Sequence, residues 1–194
     1  GINQGVKVNS GITLTNNAAL GSASGSVTNA GTINSSADNI KGTVSNTGSL
    51  NLSGGTLSKA VSGSGKTTIT GNTTNSGGIN QGVTVNSGVT LTNNAALGSD
   101  SGTITNSGTI NTSASNIKGA VTNNNTLNLS GGTLSKAVSG SGTTNITGAV
   151  TSNSAISQAI NVVAAGDLTI NANNIGGAVT NAGDLILTGG TLSK

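Results

Sequence analysis

The strongest constraint on the fold is an internal repeat in which one segment occurs three times. The copies occupy residues 44–59, 121–136 and 179–194, and each of them ends in Gly-Gly-Thr-Leu-Ser-Lys. The second copy begins 77 positions after the first, and the third begins 58 positions after the second, a difference of 19. Because a deletion keeps the downstream register only when it removes a whole structural unit, this difference predicts a unit of about 19 residues.

The opening of the chain repeats with the same long period. The hexapeptide Gly-Ile-Asn-Gln-Gly-Val begins at residue 1 and again at residue 78, and a divergent version begins at residue 155. The sequence therefore divides into internal repeats 1–77, 78–154 and 155–194, of which the third is short by one unit. We interpret each full repeat as four slightly unequal units, which predicts about ten units in a single domain over 1–194.

The composition restricts how these units can pack. The chain has 32 Gly and no Trp, Tyr, Phe, Pro, Cys or Met. A core without aromatic side chains, built from Val, Ile, Leu and Ala, must be narrow, which favours an elongated solenoid over a globule. The abundance of Gly, Ser, Thr and Asn is also typical of a disordered linker. We set this alternative aside because the apolar positions are periodic and many of them are β-branched.

Apolar and small polar residues alternate within each unit, as in Val6-Lys-Val8 and Leu50-Asn-Leu52. This period of two places the apolar side chains on one face of a short strand. Like residues recur 17 positions apart, so stacked coils would pair in parallel, with Val above Val and Asn above Asn. The sequence thus predicts an all-β fold, a parallel β-solenoid with an apolar interior. The residues of the first copy that are expected to face inward are Val27, Ile33, Val44, Leu50, Leu52, Leu57 and Ile69.

The turns between the strands share the pattern Asn-x-Gly, whereas the Asn-Gly dipeptide that closes tight hairpins is missing from the sequence. Asn tolerates left-handed backbone conformations and Gly adopts positive φ without cost, so we expect the chain to bend at these sites without reversing. Repeated bends between short strands predict a coil with three short sides. The pattern occurs at Asn9/Gly11, Asn29/Gly31, Asn46/Gly48, Asn86/Gly88, Asn106/Gly108 and Asn181/Gly183.

The motifs that connect the chain to a known family are Val27-Thr-Asn-Ala-Gly-Thr-Ile33, Val44-Ser-Asn-Thr-Gly-Ser-Leu50 and Gly54-Gly-Thr-Leu57. Together with the composition and the length of the unit, they resemble the repeat regions of bacterial surface adhesins secreted by the two-partner and autotransporter routes, the filamentous haemagglutinin-like proteins. The resemblance covers essentially the whole chain. It implies a right-handed parallel β-helix with triangular coils, placed outside the cell as a segment of a stalk, fibre or adhesin.

Catalysis would require side chains that this sequence lacks. It contains no His, Cys or Glu to activate a nucleophile or to bind a transition metal. Asp167 and Asp184 share the 17-position offset, so we expect them one coil apart on one face, as exposed turn-edge acids or as a weak cation site. We predict no enzyme activity, and no catalytic, metal-binding or cofactor-binding residues. The acidic residues considered for these roles are Asp38, Asp100, Asp167 and Asp184.

The Lys residues give the chain a net charge of +3, but they are expected to act singly. Four coils would separate Lys59 from Lys136 by about 19 Å, beyond the screening length of about 8 Å at physiological salt. We therefore expect no nucleic-acid stripe, and the chain has no aromatic residue on which bases could stack. The recurring positions hold Lys59, Lys136 and Lys194 in one set, and Lys41 and Lys118 in the other.

Neither a phosphate-binding loop nor a membrane span is indicated by the sequence. The segment Gly63-Ser-Gly-Lys66 resembles part of a phosphate-binding loop, but it lacks the full spacing and the helix that must follow. No apolar run is long enough to cross a membrane, so we expect no membrane insertion of this segment.

Pairs of Thr suggest an alternative function. Regular outward rows of Thr on a flat solenoid resemble ice-binding proteins, but Asn51 and Asn128 are expected to interrupt any continuous row. The main prediction is therefore a structural or adhesive extracellular segment, with an ice-binding or glycan-binding module as the alternative. The Thr pairs expected to point outward are Thr13/Thr15, Thr68/Thr70, Thr90/Thr92 and Thr103/Thr105.

The two ends of the chain also carry an expectation. The first coil begins without a polar cap and the last one stops at a repeat boundary, which would leave strand edges and apolar core exposed. We expect the protein either to continue beyond both ends or to stack end to end with other copies into a filament. Its partners are thus expected to be further copies of itself, or a host or environmental surface.

Overall fold

The chain winds into stacked coils in which each strand pairs in parallel with its counterpart in the next coil. The computed structural model describes residues 1–192, so Lys194 lies outside the described residues. Within them the fold is an all-β parallel solenoid with three 3₁₀ turns as its only helical segments, which confirms the predicted fold class. The coils have three sides, named here face 1, face 2 and face 3 in the order in which the chain visits them. Handedness stays a prediction.

Face 1 contains the first strand of the chain, and every third side after it along the chain belongs to the same face. Two long strands, β8 (Val61–Ile69) and β10 (Ile79–Val85), run without a break from face 1 onto face 2 and so join the two faces into one sheet. The other strands of face 1 are β1 (Val6–Val8), β3 (Val27–Asn29), β5 (Val44–Asn46), β16 (Gly132–Leu134), β19 (Ala149–Ser152), β21 (Asp167–Ile170) and β23 (Asp184–Leu187).

Faces 2 and 3 otherwise consist of very short strands. The strands of face 2 are β2 (Thr13–Asn16), β4 (Thr32–Ser35), β6 (Ser49–Leu52), β12 (Ile104–Asn106), β14 (Val121–Asn123) and β17 (Val138–Ser139). The strands of face 3 are β7 (Gly55–Leu57), β9 (Thr73–Asn75), β11 (Thr90–Asn93), β13 (Thr109–Thr112), β15 (Thr126–Leu129), β18 (Thr143–Ile146), β20 (Ala159–Val162) and β22 (Val179–Asn181). The 3₁₀ turns replace strands at Ala37–Asn39, Ala114–Asn116 and Ala172–Asn174.

The coils are slightly smaller and more numerous than the sequence suggested. Along face 1, ten register steps connect Val6 to Leu187, which gives about eleven coils. The sequence predicts about ten because it reveals only the 19-residue unit missing from the third copy, and this unit is longer than the average coil. Individual coils differ in length, since Val6 pairs with Val27, 21 positions on, whereas Ile146 pairs with Val162, 16 positions on.

The long repeat does not contain a whole number of coils, so its interpretation as four units is wrong. Val44 pairs with Val61 on face 1, whereas its repeat equivalent Val121 pairs with Ile104 on face 2. The third equivalent, Val179, lies on face 3. Each copy of the motif is therefore advanced by one face, and a full repeat corresponds to four and one-third turns. The interval between the second and third copies is one whole turn shorter than the interval between the first and second, as expected if a deletion removed one whole coil.

The interior is filled mainly by stacked aliphatic side chains on every face, with buried Thr67 among them on face 2 and buried Thr144 on face 3. Stacking between residues 17 positions apart occurs as predicted, for example between Ile33 and Leu50 and between Val27 and Val44. All seven residues that the sequence assigned to the interior of the first copy are buried, with at most 1% of their surface exposed. Since no aromatic residue is available, this narrow aliphatic column is the only core the described chain has.

Asn side chains inside the solenoid bond from coil to coil where the strands end. Asn29 donates from Nδ2 to Oδ1 of Asn46 at 2.6 Å on face 1, and Asn106 donates to Asn123 at 2.7 Å on face 2. These four amides are fully buried, so the hydrogen bonds offset a desolvation cost that isolated amides would bear. The same motif thus builds the same interior ladder on two different faces.

A buried Gln completes each of these ladders. With its amide oriented to suit its neighbours, Gln81 accepts a hydrogen bond from Nδ2 of Asn46, and Gln158 accepts one from Nδ2 of Asn123, both at 2.8 Å. Gly65 lies in the coil between Asn46 and Gln81, and a Cβ there would be 2.7 Å from Nδ2 of Asn46. The missing side chain leaves the space that the Gln side chain fills.

The glycines of the Asn-x-Gly turns have a different role from the one expected. Among the six, only Gly11 and Gly88 have positive φ, and no Asn within the described residues does. At Gly48 an added Cβ would lie 2.0 Å from the carbonyl oxygen of Gly31 in the preceding coil, and at Gly108 it would lie 2.2 Å from that of Val89. Most of these glycines are therefore required by the close approach of successive coils.

Candidate functional site

Two polar grooves run along the outside of the solenoid and are related by the repeat. Groove 1 lies beside face 2 and has a volume of about 550 Å³, and groove 2 lies beside face 3 and has a volume of about 720 Å³. Every residue that lines groove 1 has its repeat equivalent in groove 2, which adds Asn145, Asn161 and Val163. The residues of groove 1 are Thr15, Asn16, Asn17, Asn34, Ser35, Ser36, Asn39, Asn51, Ser53 and Thr70.

The floor of each groove carries an exterior ladder of Asn amides. In groove 1, Asn51 donates from Nδ2 to Oδ1 of Asn34 at 2.7 Å. In groove 2 the ladder is longer, because Asn128 donates to Asn111 and Asn145 donates to Asn128, both at 2.7 Å, and Asn161 donates to Asn145 at 3.1 Å. Each ladder bond uses one of the two N–H groups and one of the two oxygen lone pairs of an amide. The remaining half of each amide is available to a ligand.

A buried Asn holds the corner at one end of each groove in place. In groove 2, Asn93 donates to the backbone carbonyl of Ala95 at 2.7 Å and to Oγ1 of Thr112 at 2.9 Å. In groove 1, Asn16 makes the equivalent bonds to Ala18 and Ser35. The corner residues are thus fixed by the fold, and the groove shape follows from the backbone. Lining residues other than Val163 are Asn, Ser or Thr, so neither groove has an ionisable side chain among those described.

The four acids do not form a cluster. Asp167 and Asp184 are register partners on face 1 and are both exposed, as the sequence predicted. Asp38 has a structural contact, because its Oδ1 accepts a hydrogen bond from the backbone N–H of Thr56 at 2.8 Å. The repeat equivalents of Asp38, Ser115 and Asn173, accept in the same way from Thr133 and Thr191. Within residues 1–192, no three acids come together to hold a metal ion.

Asp100 is the one acid paired with a cation in the described chain. Nζ of Lys136 donates to its carboxylate on the surface. This hydrogen bond and the positive charge of the ammonium lower the pKa of Asp100 from its ordinary value of 3.8. No sequence signal indicated the pair, because the two residues are 36 positions apart and Ala23, the equivalent of Asp100 in copy one, has no charge.

The Lys residues are arranged differently from the prediction. Because each repeat advances the chain by one face, Lys59 and Lys136 lie at different corners and form no common row. Lys41 and Lys59 precede Val44 and Val61, which are register partners, so these two Lys lie at one corner in adjacent coils. Lys118 and Lys136 have the equivalent relation at the next corner. The two Lys at each corner are therefore one coil apart rather than four, and each corner gathers two of those in the described chain.

The segment that resembled a phosphate-binding loop is part of a strand. Residues 63–66 lie within β8, and the chain continues as strand through Ile69 without a helix. Lys66 is exposed. The structural context that a phosphate loop requires is therefore missing at this segment.

Rows of four Thr are present on two faces, and Asn interrupts the rows of outward Thr at the predicted residues. Asn51 separates Thr15 from Thr68 on face 2, and Asn128 lies in the row that contains Thr92 on face 3. On face 3, four Thr residues are register partners in successive coils and are half-buried. The four-membered rows lie between these interruptions, because neighbours in a row come from successive coils rather than from successive repeats. The rows are Thr90, Thr109, Thr126 and Thr143 on face 3, and Thr68, Thr84, Thr105 and Thr122 on face 2.

Comparison with known proteins adds no relative to this picture. No protein-family model, curated protein or solved structure matches the chain. Among residues 1–192, the structure has no helix of the length and hydropathy that a membrane span needs.

Proposed function

We propose that this chain is a rigid structural segment of an extracellular bacterial surface protein, a stalk or fibre that sets the distance between a surface and whatever the protein presents. The observation that carries the proposal is the unbroken parallel pairing along about eleven coils. At about 4.8 Å per coil, the segment extends for roughly 50 Å. The resemblance of its motifs to adhesin repeats supports the extracellular setting.

A spacer role is tested by changing the length of the segment and leaving its surface chemistry alone. The whole chain is displayed between a membrane anchor and a binding domain of known ligand, beside a version in which residues 78–154 are duplicated. Duplication should raise the binding domain by about 20 Å, measured by energy transfer to dyes in the membrane. Adhesion that persists at full strength when the binding domain is removed would contradict a passive spacer.

End-to-end stacking is the self-association that we propose for this segment. Leu187 faces the interior column but is 43% exposed, because no described coil covers it, and Ile2 at the other end is 39% exposed. A further coil of the same kind, from the same chain or from a second copy, would bury both. Sedimentation of the whole chain should show concentration-dependent association that Leu187→Asp weakens and that the lateral change Thr122→Asp leaves unaltered. Equal association of the two variants would contradict stacking through the ends.

Ice binding is a second candidate, favoured by the four-membered Thr rows. On face 3 the row from Thr90 to Thr143 runs beside a second outward row that consists of Thr from Thr56 through Thr74 to Thr92 and then continues as Asn. A flat, regular array of hydroxyl and methyl groups is the kind of surface on which water can be ordered. Thermal hysteresis of the purified chain, lost in Thr109→Lys and kept in Thr28→Lys on face 1, would support this function. Ice growth unaffected by the wild-type chain would eliminate it.

A further inference from the structure

We propose that grooves 1 and 2 are two equivalent binding sites for a neutral, hydroxyl-rich polymer, a linear neutral glycan, and that together they cross-link two such polymers. The observation that motivates the proposal is a concave, uncharged surface floored by a ladder of Asn amides, which the repeat places on two different faces. Neither the Thr rows nor the spacer role requires a concave surface of this kind.

The chemistry of the groove floor matches hydroxyl groups. Each amide of the exterior ladder, such as Asn128, keeps hydrogen-bonding capacity that its ladder bonds do not use. A sugar hydroxyl is both a donor and an acceptor, so one hydroxyl can bond two neighbouring rungs at once. The rungs repeat at about 4.8 Å, and the grooves follow the solenoid axis. A long chain with hydroxyls at every residue therefore fits better than a single small molecule.

The electrostatics of the groove argue for a neutral ligand. Among the described lining residues there is no Lys to pair with a sulfate, phosphate or carboxylate, and no Asp to pair with a cation. The chain also has no aromatic residue to stack on a sugar ring. Binding must come from hydrogen bonds of modest net value, so we expect dissociation constants on the order of 1 mM for one groove. Useful affinity would then depend on several grooves engaging the same material.

A second copy of this chain is the competing occupant, and the shapes disfavour it. Both grooves are concave and are lined by the same residues, so pressing one against another leaves the two hollows facing each other. Filling a groove of about 720 Å³ requires a convex, chain-like partner. The experiment below would reveal dimerisation through the grooves as signal shifts that occur without sugar.

The placement of the grooves predicts cross-linking. Groove 1 opens beside face 2 and groove 2 beside face 3, about 20 Å apart along the axis. A straight polymer in one groove does not reach the other, because the two point in different directions. One solenoid therefore holds two separate polymers.

The proposal is tested by nuclear magnetic resonance on the ¹⁵N-labelled whole chain. Cellohexaose, xylohexaose and mannohexaose are titrated to about 10 mM, with hexagalacturonate as the anionic comparison. At least one neutral oligosaccharide should shift the side-chain amide signals of Asn51 and Asn128, and hexagalacturonate should shift neither. Asn51→Leu should abolish the shifts in groove 1 and leave those of groove 2, and Asn128→Leu should do the reverse. Thr122→Val, outside both grooves, is the matched control.

Cross-linking is measured with the neutral polymers hydroxyethyl cellulose, xylan and glucomannan. The wild-type chain should raise the viscosity of the polymer that corresponds to the bound oligosaccharide, and each single-groove variant should bind it without raising its viscosity. If Asn128→Leu unfolds, Ser130→Lys on the exposed rim replaces it.

Three results would overturn the proposal. They are the absence of shifts with all three neutral oligosaccharides, equal shifts with hexagalacturonate, and protein dimerisation that accounts for the shifts without sugar. Failure of the spacer experiment would leave these readouts unchanged, since they do not depend on display.

Discussion

At the scale of single residues, the fold depends on glycine for two different reasons. Gly88 has a φ of 74° with nothing within 4 Å of an added Cβ, so its constraint is conformational. Gly48 is not among the glycines with positive φ, but an added Cβ would lie 2.0 Å from the carbonyl oxygen of Gly31. The sequence identified both as turn glycines and could not separate them, because the second constraint comes from a neighbouring coil.

Substitution should distinguish the two kinds of glycine. Gly88→Ala should cost about 1–2 kcal/mol, because Ala disfavours the left-handed region, and Gly88→Asn should cost less. Gly48→Ala should cost roughly 1–3 kcal/mol through overpacking, and Gly48→Asn should be no better. Urea unfolding measures all four values. Recovery of stability in Gly48→Asn relative to Gly48→Ala would contradict the steric explanation.

The pair of Asp100 and Lys136 predicts a small dependence of stability on pH. The folded pKa of Asp100 is lowered by Lys136, so the contribution of the pair is present above the unfolded pKa, the ordinary value of 3.8. It is lost as the pH falls through the lower, folded pKa. In a carboxyl titration followed by nuclear magnetic resonance, Lys136→Gln should raise the midpoint of Asp100 towards its ordinary value. Lys59→Gln, the equivalent change in copy one at a different corner, should leave that midpoint in place, and a shift there would mean that the effect is not specific to the pair.

At the scale of strands, the sequence predicted which strands pair but not the face of the solenoid on which each strand lies. The recurrence of Val27 as Val44 revealed the register directly, because like side chains stack on like. The face on which a strand lies depends on the sum of all earlier coil lengths, and these are unequal. The grooves were missed for the same reason, since their residues come from successive coils. Their only sequence signal was the recurrence of Asn at Asn34, Asn51, Asn111 and Asn128.

Strand β14 offers a direct test of the inward and outward pattern. Val121 is 1% exposed in the aliphatic column, and Thr122 next to it points outward. Val121→Asp buries an unpaired charge and should cost more than about 4 kcal/mol. Thr122→Asp should change stability by less than about 0.5 kcal/mol. Hydrogen exchange should show loss of protection in the coils on both sides of Val121→Asp, and protection that stays intact there would contradict the described register.

At the scale of the whole molecule, stability is distributed along one dimension, because each coil contacts its neighbours through ladder bonds and the shared core. Removal of a full coil should therefore be tolerated where removal of a partial coil is not. Ile104 and Val121 are register partners, so residues 105–121 make up one full coil.

Deletion of residues 105–121 should leave a folded solenoid that is one coil shorter, with the strand content per residue unchanged in circular dichroism. Deletion of residues 105–112 removes about half as much chain but breaks the register of every later strand, so it should lower the melting temperature far more. If the shorter deletion were the better tolerated of the two, the assignment of whole coils would be wrong.

The extra third of a turn in each repeat has a consequence for how such a chain can evolve. Nearly identical tandem copies in a gene are prone to unequal recombination, which adds or removes one full repeat at a time. Each event would lengthen or shorten the rod by about 20 Å and would also swing everything downstream around the axis by one face. Three additions, or three losses, of a full repeat would restore the original orientation of the downstream segments around the axis. Loss of a single whole coil, as between the second and third copies, shortens the solenoid without changing that orientation. The number of repeat copies therefore sets both the direction around the solenoid axis in which downstream segments face and their distance along that axis.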